Sequence, residues 1–475
     1  MAFTADADRV PPKVTMASGL AAPPRPRRAI WGWMLFDWAV QPFHTLILTF
    51  FFARYFAAEV VGDGATAQTL WGTTLALTGI AIAILSPILG AVADAIGPRK
   101  PWIGGFMVLY FAGALILWLA VPGASSGIVV LTLLGIALLM VGYEFAAVFN
   151  NAMMTDLVPR ERLGRLSGSA WALGYWGGFV ALVMVLLLMV ETAPGSGRTF
   201  LGIAPILGLS QVPGGGNRAT GPLTAVWMLL FVWPLFLYTP DQARRAVSGT
   251  GAAIRTALSH LASTIRTLPS SRSLFAYLGS SMFYRDALNA LYAFGGVYAG
   301  GVLQWSATKL GIFGIIAALT GAIGAWIGGR LDDRLGPKKV VAGSILGLTG
   351  AALAIVLTGR TTFLGAEVGT GTTDVVFYLC GAVIGALGGT LQAASRTLLA
   401  DQAEPGRVAE AFGLYALSGK ATSFLAPALI AATTWLAIEV LGLGSADAQR
   451  LGISPIVLLF LVGLALLPLV KARIE

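Results

Sequence analysis

Gly90-Ala-Val-Ala-Asp94-Ala-Ile-Gly97-Pro98-Arg99-Lys100 and Gly329-Arg-Leu-Asp-Asp333-Arg334-Leu-Gly336-Pro337-Lys338-Lys339 are two copies of one pattern. Gly, Asp, Gly, Pro and two basic residues recur at an offset of 239 in a chain of 475 residues, almost half its length. A second echo follows: Asp156, Arg162, Gly168 and Gly174 recur as Asp401, Arg407, Gly413 and Gly419, at an offset of 245. Chance does not place two motifs in matching order at similar offsets, so the chain reads as two copies of one unit. In both loops the glycines permit tight turns and close packing. Asp94 and Asp333 are suited to accept bonds from helix N-termini and nearby arginines.

Around these loops the sequence is mostly apolar. Hydrophobic residues make up 56% of the chain and charged ones 11%, against about 25% charged in an ordinary soluble domain. Apolar runs recur along the whole length, several reaching the roughly 20 residues that cross about 30 Å of hydrocarbon. The chain therefore reads as an all-α membrane protein. Twelve crossings are expected at 31–56, 69–93, 102–120, 128–152, 166–190, 222–238, 274–299, 307–328, 339–358, 374–398, 410–436 and 453–470. Six belong to each half, and parallel halves of this kind hold a substrate site near the midplane, between them.

The basic residues set the orientation. With the N-terminus inside, 22 Lys and Arg fall in inner segments, 5 in outer loops and 4 within helices. That asymmetry puts both termini in the cytoplasm. It also accounts for the net charge of +9 without a nucleic-acid partner. Arginine outnumbers lysine 24 to 7, which fits a GC-rich bacterial genome, and the expected location is a bacterial inner membrane. The expected organisation is a disordered cytoplasmic tail over 1–29, a first half over 30–238, a linker over 239–273 and a second half over 274–475. In the linker, Ile254, Leu258, Leu261, Ile265 and Leu268 form an apolar stripe that leaves out Arg255 and Arg266, the pattern of a helix lying on the membrane surface. The Gly- and Pro-rich stretch 191–221 reads as a long outer loop with room for a short helix.

One cysteine, Cys380, excludes an internal disulfide, and two histidines are too few for most metal sites. Gly419-Lys420 looks briefly like a phosphate loop, but Leu414 and Ala421 stand where Walker A needs Gly and Ser or Thr. No nucleophile elbow or dinucleotide fingerprint occurs in a credible context. The chain is expected to be no enzyme, to need no cofactor or metal, and to act as a monomer.

The pattern G-x-x-x-D-x-x-G-x-[RK]-K in both halves resembles the signature loop of the major facilitator superfamily. In that family the loop braces the halves on the cytoplasmic side and gates alternating access. The resemblance assigns that gating role to Gly90, Asp94, Gly97, Arg99 and Lys100, and to Gly329, Asp333, Arg334, Gly336 and Lys338. Ala95 departs from the family pattern, since an arginine usually follows the aspartate; Arg334 keeps it in the second copy. A weaker latch in the first half is the expectation. Trp33-Met-Leu-Phe-Asp37-Trp38-Ala39, Trp171-Ala-Leu-Gly174-Tyr175-Trp-Gly-Gly178 and Leu414-Tyr-Ala-Leu-Ser-Gly-Lys420-Ala-Thr-Ser-Phe narrow the resemblance. They are similar to the bacterial "unknown major facilitator" family, related to fungal vacuolar amino-acid effluxers linked to autophagy. Transport of amino acids or similar small metabolites is what this implies.

Ionisable groups at membrane depth cost at least ~2.5–3.5 kcal/mol each by insertion scales, so each marks a functional position. Asp37 and Glu144 come from the first half; Arg285, Asp286, Arg396 and Lys420 come from the second. A zwitterion would suit the cavity between them, its amine toward Asp37 or Glu144 and its carboxylate toward Lys420 or Arg396. Internal ion pairing is the competing expectation. Arg285 and Asp286 are neighbours on a helix and point about 100° apart, so one must look elsewhere. Gln41, Tyr143, Trp171, Tyr175, Asn289 and Gln392 complete the candidate substrate contacts, and Trp38 and Trp176 are further aromatics that would line the cavity or pack. Asp37, Glu144, Asp286 and His44 are the candidates for carrying a coupling proton. The alternatives are an exporter of lipid or apolar drug-like molecules, and a sensor or assembly factor with a transporter's fold.

Overall fold

The computed structural model describes residues 26–192, 196–243, 250–305, 307–404 and 406–471. Most of the proposed tail, residues 1–25, lies outside them. Eleven helical segments are long and apolar enough to cross a membrane. They are Arg27–Val61, Thr66–Ile96, Lys100–Leu119, Ser126–Asp156, Arg160–Leu188 and Gly215–Tyr238, then Lys309–Leu335, Pro337–Val356, Gly369–Gln402, Val408–Glu439 and Ser445–Leu469. The missing seventh crossing is Arg272–Gly301, thirty residues long, which carries Arg285, Asp286 and several hydroxyl side chains and so falls short on apolarity alone. Every expected crossing is present as a helix.

Within each half, neighbouring helices pack as a bundle: the first on the fifth and sixth, the third on the fourth, the seventh on the twelfth, the ninth on the tenth. Four pairings join the halves, namely second on eleventh, fifth on eighth, fifth on tenth and fourth on eleventh. Glycines make the closest of these approaches possible. A Cβ at Gly90 would strike the backbone of Ala409, and one at Gly329 would strike that of Gly164. Likewise Gly413 lies on the backbone of Ser86 and Pro87, and Gly168 on that of Ala325. The two sets superimpose under the repeat. Adding 239 to Gly90 and Ser86 gives Gly329 and Ala325, and adding 245 to Gly164 and Gly168 gives Ala409 and Gly413.

Both signature loops lie at this same end of the bundle, the motif end, and their aspartates finish the pattern. Asp94 accepts the backbone N–H of Glu410 at 2.9 Å, in the first turn of the eleventh crossing. Asp333 accepts that of Arg165 at 3.0 Å, in the first turn of the helix Leu163–Leu188. Each carboxylate thus sits at the positive end of a helix of the opposite half.

The two latches are built differently: Asp333 also meets the Arg165 side chain of the opposite half at 3.4 Å, whereas the ion pairs of the first loop stay within its own half. Buried Arg99 folds back to Asp94 at 3.2 Å and to Asp156 at 3.0 Å. Its backbone N–H and that of Lys100 both donate to Asp241 at 2.9 Å. In the second half the matching Lys338 turns away to the carbonyl of Val470. Arg334 is exposed and meets no carboxylate among the described residues.

The linker contains a helix, Thr250–Thr267. Its Ala257 and Leu261 are buried against Ala91 and Val92 of the first half and Leu278 and Leu414 of the second. Leu258 and Ile265, expected in one stripe with Leu261, remain exposed instead; the side chain of Ile254 lies outside the described residues. The helix therefore straps the two halves together with one edge and presents the other outward. Arg407 ties its far end by donating to Thr264. The arginine's bonds to Glu410 and Glu404 outweigh its partial burial and hold its pKa above the ordinary guanidinium value.

Opposite the motif end, the Phe50 ring of the first half lies against Gly314 of the second. The eleventh crossing breaks after Ala421 and resumes as Leu425–Glu439. That outer piece packs on the seventh and twelfth crossings of its own half. Stretch 191–221 holds a 3-10 turn, Ile206–Gln211, and a single helical turn, Gly215–Arg218.

Candidate functional site

Asp37, Gln41 and His44 are spaced by four and three residues, so they share one face of the first crossing. That face looks across the interface between the halves. Asp37 meets Arg396 of the tenth crossing through two bonds, of 2.9 and 3.3 Å. Both residues are buried, at 8% and 7% exposure, and the paired geometry is the fork-to-carboxylate arrangement that makes such bonds strong. The Arg396 guanidinium also lies over the Trp171 ring, 4.8 Å from its centre. Trp171 in turn neighbours Tyr175 at 6.1 Å.

A second pair spans the interface one helix further round. Glu144 of the fourth crossing meets Lys420 of the eleventh at 2.8 Å. These side chains keep 23% and 24% of their surface accessible, so they face open space inside the bundle. Tyr143 turns its face edge-on to His44 at 4.5 Å, and the Nε2 of His44 is buried with no hydrogen-bond partner. Arg396 and Lys420, the expected seats for a substrate carboxylate, are both occupied by carboxylates of the protein in this conformation.

The neighbours Arg285 and Asp286 diverge as their spacing requires, yet both end on the eleventh crossing. Arg285 donates to the carbonyl of Tyr415 at 2.8 Å and lies over its ring at 4.0 Å. Asp286 is 3% exposed and accepts the N–H of Ala426 at 2.7 Å. It caps the first turn of the outer piece, just beyond the break. Asn289 and Tyr292 continue the Arg285 face, four and seven residues on, and both are exposed. The Tyr292 hydroxyl contacts Tyr175 and Gln392, linking the fifth, seventh and tenth crossings.

The structure thus brings Asp37, Glu144, Trp171, Arg396 and Lys420 together between the halves, with His44 against Tyr143, Arg285 on the eleventh crossing, and Tyr175 and Gln392 joined by Tyr292. Gln41 lies beside Gly178 within the first half, and Asn289 is exposed one turn beyond Arg285. The structure sends other candidates away. Trp38 stacks on Trp227 at 5.7 Å within the first half, and Trp176 is exposed on the outside beside Trp31 and Trp326. Tyr415 and Tyr292 were not singled out from sequence. Tyr292 carried one signal, its place seven residues after Arg285; Tyr415 carried none, since its role depends on the facing helix.

Comparison with known proteins agrees with the architecture. The sequence model of the family described as "Vacuole effluxer Atg22 like" matches residues 60–473. The chain is similar to an uncharacterized MFS-type transporter, YxiO, of Bacillus subtilis, with 25% identity over 445 residues, covering 92% of this chain and 94% of that protein. It is also 26% identical over 277 residues to autophagy-related protein 22 of Cryptococcus neoformans, 56% of this chain and 44% of that one. The chain thus matches less than half the length of the fungal relative. Among solved structures, it resembles the major facilitator transporter FucP in its outward conformation, with a TM-score of 0.65, 17% identity, and coverage of 93% and 98%. It likewise resembles a bacterial homologue of ferroportin in an outward-facing state, with a TM-score of 0.63, 14% identity, and coverage of 93% and 98%. The twelve helices in two pseudo-symmetric halves are the major facilitator fold.

Proposed function

Because the chain belongs to the Atg22-like family of vacuole effluxers, we propose that it is a proton-coupled secondary transporter of a small zwitterionic metabolite such as an amino acid. One observation carries this reading: acids from the first half meet bases from the second across the cavity, at Asp37–Arg396 and Glu144–Lys420. Charges at this depth are costly, and a scaffold gains nothing from placing them where two bodies must separate. In a rocking transporter such pairs are exchangeable. A substrate with both charges replaces either partner without leaving an ion unpaired, and a proton taken up by Asp37 or Glu144 frees the facing base. The more accessible Glu144–Lys420 pair is the easier of the two to open.

The fold fits alternating access by rocking of one half against the other. The signature loops and their strap hold the motif end closed, and the likeness to solved transporters in outward-facing states supports an opening on the other side. The excess of basic residues at the motif end supports a cytoplasmic location for it and for both termini, in a bacterial inner membrane.

Uptake of labelled neutral amino acids into proteoliposomes, with and without an inward proton gradient, tests the reading. Gradient-stimulated uptake that disappears in Asp37→Asn and Lys420→Ala is expected. A well-folded preparation that moves no amino acid under any gradient would transfer the assignment to lipids, apolar compounds or a non-transport role.

A further inference from the structure

We propose that Arg285 is the anion-binding residue of the cavity and takes the carboxylate of the transported molecule. The inference rests on the transporter reading above, and it moves the carboxylate subsite away from Arg396 and Lys420.

Charge balance is the first argument. The cavity holds two acids, Asp37 and Glu144, and three cations, Arg285, Arg396 and Lys420. Two cations are matched: Arg396 at 2.9 Å from Asp37 and Lys420 at 2.8 Å from Glu144. Arg285 makes no ion pair among the described residues. Its neighbour Asp286, the nearest acid in sequence, is buried and committed to the N–H of Ala426. One uncompensated positive charge therefore faces the interior of a membrane protein, where leaving it so is expensive.

The way Arg285 is held is the second argument. Its guanidinium lies over the Tyr415 ring, 4.0 Å from the centre, and that ring stacks on Tyr277 at 6.0 Å and 4°. One N–H goes to the Tyr415 carbonyl. Stacking on a ring fixes the plane and leaves the N–H edge for a partner, the disposition in which arginine grips a carboxylate through two bonds. Gly419 keeps the place clear, because a Cβ there would run into the guanidinium. The side chain is partly accessible, and Asn289, one turn along the same face, is exposed as a further donor.

The repeat is the third. Gly174 lies against Asp37 in the first half, and Gly419, its repeat partner, lies against Arg285 in the second. The two halves thus place a carboxylate and a guanidinium at matching points of the interface. Only the carboxylate has found its counter-ion within the protein. Glu144 is close enough for its charge to interact with Arg285, so an ammonium bound at Glu144 and a carboxylate bound at Arg285 would seat one zwitterion.

Phenylglyoxal, which modifies accessible guanidinium groups, tests this on the full-length wild-type protein in nanodiscs, with modified residues identified by mass spectrometry. Arg285 is expected to react and buried, paired Arg396 to resist. Propionate and neutral amino acids should slow modification of Arg285 in a saturable way, while propylamine should not. An unreactive Arg285, or a rate indifferent to every carboxylate, would overturn the assignment. Protection by propionate without protection by amino acids would keep Arg285 as the anion site and remove the zwitterion. In transport, Arg285→Gln should raise KM for a carboxylate substrate roughly tenfold or more, as loss of charge-assisted bonds predicts, with Arg285→Lys restoring part of it. Uptake by Arg285→Gln at unchanged KM would sink this inference and leave the transporter reading intact.

Discussion

Asp37 and Arg396 form a bidentate pair with under a tenth of either residue exposed, so neither charge can lose its partner cheaply. Removing one partner of a buried pair generally costs about 3–5 kcal/mol, because the other is left buried and unpaired. Arg396→Ala should therefore lower thermal stability in detergent markedly. The double variant Asp37→Asn with Arg396→Gln should recover most of that loss while remaining inactive in uptake. Equal melting of the single and double variants would mean that the pair is solvated. All four charges of the two central pairs are legible in the sequence, since each interrupts an apolar run. Which acid meets which base is not. Asp37 and Arg396 stand 359 residues apart, and only the register and rotation of the packed helices decide that they touch.

At the scale of elements, the eleventh crossing is interrupted in a functional place. Residues 410–436 read as a single crossing, although Ser418, Lys420, Thr422 and Ser423 interrupt the apolar run. Thr422, Ser423 and Phe424 nonetheless separate Val408–Ala421 from Leu425–Glu439. Pro427, in the first turn of the outer piece, is the one local sign, because proline is well tolerated where a helix begins. The other requirement, a carboxylate for the exposed N–H groups, arrives from Asp286 on another helix. Replacing a capping side chain usually costs about 0.5–2 kcal/mol. Asp286→Ala should cost a similar amount, with faster amide exchange confined to the first turn of Leu425–Glu439. Protection unchanged there would show that the outer piece holds without its cap. The linker helix offers a related lesson. Its spacing marks it as amphipathic and picks out Leu261, but the apolar edge it buries also runs through Ala257, a small residue that spacing alone passes over.

For the whole molecule, the two offsets of the repeat hold in three dimensions as well as along the chain. Asp94 reaches Glu410 and Asp333 reaches Arg165, each loop clasping a helix of the opposite half. If transport requires the motif end to part, tying one clasp shut must stop it. In a Cys380→Ala background, Arg165→Cys with Asp333→Cys joined by a short bis-methanethiosulfonate reagent should lose uptake and regain it on reduction. Full activity in the linked state would show that the halves need not separate there. The twelve crossings, the two halves and the place of the clasps all follow from periodicity and repetition, which are one-dimensional properties. The strength of each clasp does not, since Arg99 and Lys338 occupy matching positions and make unrelated contacts.

The glycine contacts at the motif end have a thermodynamic meaning. Where Gly90, Gly168, Gly329 and Gly413 meet the opposite half, backbone lies directly on backbone. Seating such a surface immobilises almost no rotamers, whereas an interface of long side chains would lose up to about 1.5–2 kcal/mol of side-chain freedom for each one ordered. The surface is therefore nearly silent in the balance between open and closed. That balance falls to a small number of charge-assisted bonds at its rim. The protein in effect separates bearing from trigger: a smooth sliding seat on one hand, and on the other a few carboxylates whose loss, one atom at a time, resets how long each shape persists.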